Sequence, residues 1–362
     1  MPLSRQRDDD TLPDASSSTA LPGKRFLLIT DAWAPQTNGV VTTWSTVVGR
    51  LEAAGIEVEV IHPGLFHTFP LPTYPEIQLA RNPWLMKRHI ADFRPDYAHI
   101  ATEGSLGLYG RWLLTRHGIP YTSSLHTKFP EYVYERARIP VALGYRFIRW
   151  FHRPPVRTLV TTESMKAELE HWGLADLIVW RRGVDIARFE PAELPPRERP
   201  RLLYVGRIAV EKSIEDFLKL DVDADKIIVG DGPQKAALER AYPQAQWLGY
   251  RKGQALVDEY AKADAFVFPS RTDTFGLVML EANACGTPVA AYPVTGPNDV
   301  VTNGVNGWLD DDLGLAIARA LDVSRQSCRA VAEANTWDQV GVRLLESLEP
   351  IDWTRVRPLL PR

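Results

Sequence analysis

Short apolar segments that alternate with helical segments are the feature that most limits how this chain can fold. "RFLLITD" (25–31) and "IEVEVIHP" (56–63) have the length and composition of buried strands, and the segment between them repeats apolar residues at helical spacing. A strand, a helix and a second strand in this order form a βαβ unit. The pattern predicts an α/β fold with doubly wound, Rossmann-like sheets.

The alternation of strands and helices begins again after a Pro-rich, charged stretch, "EPAELPPRERP". New strand-like segments follow it, among them "RLLYVGR", "DKIIVGDGP" and "DAFVFPS". A chain of 362 residues is also long enough for two cores. We therefore predict a polar tail (1–23), a first domain (24–190), a linker (191–200), a second domain (201–335) and a closing helix with a tail (336–362).

Composition excludes several classes of protein. The net charge of −3 gives no reason to expect nucleic-acid binding, and two cysteines are too few for a disulfide framework. No apolar run reaches the roughly 18 residues that span a bilayer, and residues 1–23 contain no secretory signal. We expect a cytoplasmic protein whose contact with a membrane, if any, is peripheral.

Ligands of open α/β sheets bind beyond the carboxyl ends of the strands. Asp273 follows the strand-like "DAFVFPS", and Gly276 then allows close approach of a ligand and the start of a helix. With a helix that begins near Thr274, Glu281 is expected two turns in, where it can accept hydrogen bonds from sugar hydroxyls. Arg207 and Lys212 follow "RLLYV", where two cations suit a diphosphate without a metal.

Further candidates also follow strands. They are Gly39, Gly206, Gly230 and His126. Taken singly, a glycine after a strand is usually a turn residue, and a histidine there is usually an ordinary, partly buried residue. An aspartate in the position of Asp273 is usually a helix cap. The functional interpretation depends on all these candidate residues lying beyond the carboxyl ends of the strands, on the same side of both sheets.

Together these segments resemble the retaining glycosyltransferases of family 4, which have the two-domain GT-B fold. The resemblance covers about residues 25–345, and its strongest motif is a pair of acids eight positions apart followed by "ACGTPV", with Asp273 where the family usually has Glu. Other matching blocks are "YVGRIAVEKSIE", "VGDGP", "RRGVDIARFEP", "TDAWAPQTNGVVTT" and "SSLHTKFPEY". The last two are similar to a subgroup that includes mannosyltransferases and glycolipid synthases.

The resemblance implies a role for each matching residue around a donor bound in the cleft between the domains. Glu281 is expected to hold the ribose, and Arg207 and Lys212 to neutralise the departing diphosphate. Gly39 is expected to cover the donor, and His126 to contact the sugar. Further donor contacts are implied for Gly206, Gly230, Asp273, Thr274, Phe275, Gly276, Leu277 and Val278.

The implied reaction is the transfer of a hexose from a nucleotide sugar, with retention of configuration and without a cofactor or metal. UDP-glucose, UDP-glucuronate and GDP-mannose all suit the blocks. The acidic run "DVDAD" (221–225) precedes a strand and is therefore expected at the wrong end of the sheet for a metal-diphosphate site. The expected acceptor is a hydroxyl of a lipid such as diacylglycerol at the membrane surface, and a polyprenol-linked or soluble sugar is the alternative acceptor.

A basic aromatic segment follows in the first domain. Residues 136–157 contain six arginines, four aromatic residues and no acid. If residues 145–153 are helical, Arg146, Arg149, Arg153 and Trp150 share one face, and Phe147, Ile148 and Phe151 lie to the other side. This pattern suits an anionic membrane surface with the apolar face partly inserted, and it equally suits a core helix with solvated arginines.

Two other functions compete with glycosyl transfer. A nucleotide-dependent dehydrogenase needs a Gly-x-Gly-x-x-Gly turn after a strand, and both domain openings lack it. A two-lobed binding protein without catalysis is usually exported, whereas no export signal is predicted here.

Overall fold

A computed structural model describes residues 23–36, 38–71, 74–126, 130, 140–193, 197–271 and 275–360. For residues 71 and 74–77 it describes the backbone alone. Two six-stranded sheets and a two-stranded hairpin organise these residues. Every pairing within the six-stranded sheets is parallel.

The first sheet has the strand order β2-β1-β5-β6-β7-β8. Its strands are β1 (Arg25–Ile29), β2 (Glu57–Ile61), β5 (Tyr97–Ile100), β6 (Thr122–Leu125), β7 (Thr158–Val160) and β8 (Leu177–Val179). The hairpin of β3 (Thr68–Leu71) and β4 (Tyr74–Ala80) is antiparallel. The helices of this unit are α1 (Gly39–Ala53), α2 (Met86–Phe93), α3 (Ser105–His117), α4 (Val141–Phe151) and α5 (Glu163–His171).

Helix α1 shows how the sequence determines a local element. Asn38 caps it by accepting hydrogen bonds from the backbone N–H groups of Val40 and Val41. The residues that recur at helical spacing are buried against the sheet, and they are Val41, Trp44, Val47, Val48 and Leu51. The helix ends before Gly55, which has a φ of +83°.

The second sheet has the order β11-β10-β9-β12-β13-β14. Its strands are β9 (Arg201–Val205), β10 (Asp225–Val229), β11 (Gln246–Gly249), β12 (Ala265–Phe268), β13 (Val289–Ala291) and β14 (Gly307–Leu309). Its helices are α6 (Ile214–Lys219), α7 (Lys235–Ala241), α8 (Gln254–Ala261), α9 (Leu277–Ala284), α10 (Pro297–Val300), α11 (Leu313–Ala320) and α12 (Arg325–Glu333). Two parallel, helix-covered sheets confirm the predicted fold class.

The last helix, α13 (Trp337–Ser347), returns to the first unit. Its residues Trp337, Val340 and Leu344 share a buried cluster with Trp44, and the indole N–H of Trp180 donates to the Val340 carbonyl at 2.9 Å. The predicted capping box at its start, between Thr336 and Gln339, is confirmed. The chain therefore passes twice between the two units.

The first passage between the units is fastened to the second one. Val184 and Phe189 lie in the core cluster of the second sheet, and Arg329 of α12 donates to the backbone carbonyls of Ile186 and Phe189. The residues just after β8 thus have fixed positions between the two sheets. Among the described residues, no helix is long and apolar enough to cross a membrane.

Candidate active site

Helix α9 carries Glu281 at the carboxyl end of β12. The helix begins at Leu277, after Gly276, whose φ of +77° is the left-handed conformation that glycine adopts readily. The predicted start near Thr274 is therefore wrong, because the chain turns at Gly276 before it becomes helical. Glu281 lies just over one turn into α9 and not two. Asp273 and Thr274 lie outside the described residues.

Glu281 as a residue is partly exposed, and its carboxylate is held by neighbouring side chains. The Tyr260 hydroxyl donates to its Oε2 at 2.9 Å. Burial raises the pKa of Glu281, while the Tyr260 hydrogen bond and the positive charge of Arg188 oppose that rise. A carboxylate kept in place in this way can accept further hydrogen bonds from a ligand.

Three residues near Glu281 that are predicted to contact the donor lie mainly in the hydrophobic core. The Phe275 side chain is 4% exposed, and Leu277 and Val278 pack against the same cluster of the second unit. Leu277 also contacts the buried cluster of the first unit that contains Trp44. Any donor contact at these three positions must therefore come chiefly from the backbone.

Arg207 and Lys212 both follow β9, as expected. Arg207 is exposed, and Lys212 is partly exposed at the end of a 3₁₀ turn (Val210–Lys212). The hydroxyl of Ser270, which follows β12, donates to the backbone carbonyl of Glu211 at 3.4 Å. This contact places the loop that carries Lys212 beside the loop after β12.

Gly206 and Gly230 contact each other at the ends of β9 and β10. Gly230 has a φ of +148°, and a Cβ atom there would lie 1.9 Å from the carbonyl oxygen of Gly206. Packing between the two loops is therefore a sufficient reason for glycine at position 230. The predicted donor contacts of these two glycines remain predictions.

His126 follows β6 and is buried in a polar network. Its Nε2 lies 3.0 Å from the indole N–H of Trp44 and 2.9 Å from the Ser124 hydroxyl, which also contacts His99. Burial first, and then the charge of Arg182, hold the pKa of His126 well below its usual range. Because an indole N–H can only donate, Nε2 accepts, and the neutral ring carries its proton on Nδ1.

Gly39 lies against a cation that the sequence argument did not select. A Cβ atom at Gly39 would lie 2.7 Å from Nη1 of Arg182. Arg182 is only 7% exposed, and its Cζ lies 5.9 Å from the centre of the Phe275 ring. A buried guanidinium thus lies where Gly39, His126 and the second unit meet.

The position of Arg182 in the sequence is also typical of a site residue. It lies in "RRGVDIARFEP", three residues after the end of β8. The rule that selected the other candidates was position after a strand, and "LIV" was not predicted as one. Recognition of β8 would have placed Arg182 among the candidates.

The basic helix α4 differs from expectation in two ways. It ends at Phe151, so Arg153 lies beyond it. The face predicted to insert into a membrane is instead core, because Ile148 and Phe151 are fully buried and Phe147 packs against them from a partly buried position. That part of the membrane prediction is wrong, since the underlying sheet already covers the apolar face.

The opposite face of α4 is exposed and carries Arg146, Arg149 and Trp150. An open groove of about 530 Å³, lined by these residues with Arg153 and Asp176, lies between the end of α4 and the turn before β8. Its lining residues precede β7 and β8. The groove is therefore on the amino-end side of the sheet, away from His126.

Two family models match the chain. "Glycosyltransferase Family 4" matches residues 37–188, and "Glycosyl transferases group 1" matches residues 199–322. Each match covers one of the two sheets almost completely. The architecture and the matches define a GT-B glycosyltransferase.

Known proteins agree with these matches. The chain is 30% identical to a GDP-mannose-dependent alpha-mannosyltransferase of Mycobacterium tuberculosis, over 79% of this chain and 84% of the relative. It is 27% identical to an alpha-monoglucosyldiacylglycerol synthase of Streptococcus pneumoniae, over 82% of this chain and 78% of that one. Sucrose-phosphate synthase from Thermosynechococcus elongatus has a similar fold, with a TM-score of 0.71 at 19% identity over 89% of this chain and 98% of its own. The chain belongs to glycosyltransferase family 4 and acts on a nucleotide sugar.

Proposed function

We propose that the protein is a retaining, metal-independent hexosyltransferase that moves a hexose from UDP-glucose, UDP-glucuronate or GDP-mannose to a hydroxyl of a lipid such as diacylglycerol. The observation that carries the proposal is the Glu281 carboxylate, which Tyr260 holds in place at the strand ends where Arg207 and Lys212 also lie. A polyprenol-linked or soluble sugar is the alternative acceptor. A two-lobed binding protein without catalysis is less well supported, because the matched families are enzymes.

The reaction needs stabilisation of a departing diphosphate. The bond between the anomeric carbon and the phosphate oxygen breaks with both electrons on that oxygen, and the acceptor oxygen bonds to the carbon from the same face. The acceptor proton passes to the departing phosphate. Arg207 and Lys212 neutralise the charge that develops there, and the first turn of α9 adds backbone N–H groups.

The transferred sugar needs contacts that do not compete with the phosphate. Burial holds the pKa of His126 well below its usual range, so a contact between this ring and a sugar hydroxyl would add no charge. The Trp44 indole and the Ser124 hydroxyl hold the ring in place. A ring fixed in advance costs little ordering when the sugar binds.

A lipid acceptor is supported by the outer face of the first unit. Three tryptophans there are 58%, 45% and 49% exposed, and they are Trp84, Trp112 and Trp150. We call this face the tryptophan surface. Tryptophan is enriched at the interface between water and membrane, where one part of its ring system is apolar and the other can hydrogen-bond.

Cations from neighbouring helices surround the tryptophan surface. Lys87 of α2 and Arg116 of α3 lie 5.5 and 5.7 Å from the Trp112 ring, and Arg111 lies 3.8 Å from the Trp150 ring. Neither α3 nor α4 contains an acidic residue. Tryptophans among cations suit an anionic bilayer surface.

The groove beside α4 extends this surface with Arg146, Arg149 and Arg153. Because it lies on the amino-end side of the sheet, we assign it to anionic headgroups of the bilayer and not to the reacting end of the acceptor. The membrane contact then holds the enzyme at the surface while the cleft remains open to the donor.

The donor site is tested by nucleotide release from a panel of sugar nucleotides, with and without diacylglycerol vesicles. Glu281→Ala and Lys212→Ala should each reduce turnover at least tenfold, a loss of about 1.4 kcal/mol of transition-state stabilisation. Exposed residues of the second unit, Glu239 and Lys252, provide matched alanine controls. Near-normal kinetics in both site variants would contradict the proposed site.

The membrane contact is tested by sedimentation with anionic vesicles. Reversing Arg146, Arg149 and Arg153 to Glu should abolish cosedimentation. Reversal of three exposed cations of the second unit should not, and suitable positions are Arg240, Arg251 and Lys252. Unchanged sedimentation of the first variant would leave this face an ordinary solvated surface. Transfer to a soluble sugar but not to diacylglycerol would favour the alternative acceptor.

A further inference from the structure

Arg182 is a buried cation at the meeting point of the two units. It follows β8 and is only 7% exposed. Its Nη1 lies over the backbone of Gly39 at the start of α1, and its Cζ lies 5.9 Å from the Phe275 ring of the second unit. Its charge is also close enough to lower the pKa of His126.

Burial distinguishes Arg182 from the arginine before it. Removing a guanidinium from water carries a penalty of several kcal/mol, so a buried arginine is held in place by specific contacts. Nearby Arg181 is exposed and carries no such cost. The chain therefore keeps one arginine in solvent and buries the next between two domains.

The surroundings of Arg182 are those expected of a donor contact. Gly39 and Phe275 come from opposite units, and both are predicted to border the donor. Gly39 has no side chain, and this absence is what leaves space for Nη1. The neutral state of His126 also fits, because two neighbouring cations would repel each other.

We propose that Arg182 is a third cation of the donor site, which contacts the phosphate that bears the transferred sugar from the side of the first unit. Arg207 and Lys212 approach the same diphosphate from the second unit. A planar guanidinium suits this role, because it can donate two parallel hydrogen bonds to phosphate oxygens. The inference rests on the proposed donor site and adds a catalytic residue to it.

The experiment compares Arg182→Ala, Arg182→Lys and the matched control Arg181→Ala. Turnover should fall about 100-fold in Arg182→Ala, as it does when one preorganised donor to a developing negative charge is removed. Arg182→Lys keeps the charge but not the paired hydrogen bonds, so it should retain intermediate activity. Arg181→Ala should match the wild type.

Guanidinium ion provides the second measurement. Added at millimolar concentration, it should restore part of the turnover of Arg182→Ala and leave the wild type and Arg181→Ala unchanged. Circular dichroism and thermal unfolding of each variant show whether the fold persists. Loss of turnover that guanidinium does not restore would assign Arg182 a structural role and overturn the proposal, as would normal turnover in Arg182→Ala.

Failure of this inference can be distinguished from failure of the donor site. UDP and GDP binding to the wild type and to Glu281→Ala tests the donor site without Arg182. If the wild type binds nucleotide and Glu281→Ala does not, normal turnover in Arg182→Ala refutes only the role of Arg182. If the wild type binds no nucleotide, the donor site itself is wrong.

Discussion

Replacing Glu281 with glutamine separates the binding role of this carboxylate from its place in the fold. Glutamine has the same shape and keeps an oxygen that can accept the Tyr260 hydrogen bond. It loses the negative charge, and one of the two acceptor oxygens becomes an NH2 group that donates. A hydrogen bond to a charged acceptor contributes about 1 kcal/mol more than one to a neutral acceptor.

The loss can be estimated from the two hydroxyls of a ribose. Two weakened hydrogen bonds cost about 2 kcal/mol, which corresponds to about 30-fold in kcat/KM. Calorimetric titration with UDP and GDP should show the same factor in the dissociation constant. Affinity and kcat/KM equal to those of the wild type would refute the role of the carboxylate.

Although Glu281→Gln should weaken donor binding, it should increase the free energy of unfolding. Burial raises the pKa of Glu281 above its value in the unfolded chain. Between these two values the folded protein binds more protons than the unfolded one, so the free energy of unfolding falls as the pH rises. Glutamine does not ionise, and Glu281→Gln should therefore become more stable than the wild type as the pH rises from the usual pKa of a carboxyl through the raised pKa of Glu281.

The neighbouring groups Tyr260 and Cys285 should not titrate in this pH range, so the change in stability should come from the Glu281 carboxyl. Burial raises the pKa of Tyr260 far above neutral and that of Cys285 to about 12. Thermal unfolding of both proteins across this range measures the difference. A constant difference at every pH would contradict the assignment of the carboxyl as a destabilised, functional group.

Three further predictions concern the frame around the site. The Asp299 carboxylate of α10 accepts a backbone hydrogen bond at 3.0 Å from the first turn of α5 in the other unit; Asp299→Ala should cost about 1 kcal/mol of stability in denaturant unfolding, and Asp299→Asn should not. Thr336→Ala removes the capping box of α13 and should cost a similar amount, about 1 kcal/mol, whereas Thr336→Ser should be neutral in the same assay. In Gly39→Ala the new Cβ would lie 2.7 Å from Arg182 Nη1, so turnover should fall; Gly49→Ala on the same helix meets nothing within 4 Å and should keep its activity.

The fold was predictable because its strands are apolar and regularly spaced. The core strands β1, β9, β10 and β12 coincide with the predicted segments, since strands buried on both faces show as continuous apolar runs. Strands β8 and β14 are not among the predicted segments. Their length of three residues does not explain this, because β7 and β13 are equally short and were predicted. The β3–β4 hairpin was missed because it stands apart from the parallel sheet and breaks the βαβ pattern.

Helix α4 shows what periodicity alone leaves open. Its two faces both carry aromatic residues, with Phe151 on one and Trp150 on the other. Spacing separates the faces but does not say which one meets the sheet. The structure buries Phe151 and exposes Trp150 beside Arg111, so any membrane contact must use the arginine face and not the phenylalanine face.

Candidate residues that directly follow a predicted strand could be selected from the sequence, including the buried His126, whereas Arg182 could not. Arg207 and Lys212 were found because position after a strand is visible in the sequence. The burial of Arg182 depends on Gly39 and Phe275, which are far from it along the chain and meet it only when both units are folded. In the proposed site, an exposed side chain such as Arg207 would have to become ordered when the donor binds, and it would lose conformational entropy. A guanidinium already fixed between two domains avoids that cost and acts in a medium of lower dielectric constant, where its charge has more effect. In the proposed site, Arg182 is the cation that is hardest to predict from the sequence. It also has a stronger physical reason than Arg207 to increase the rate of transfer.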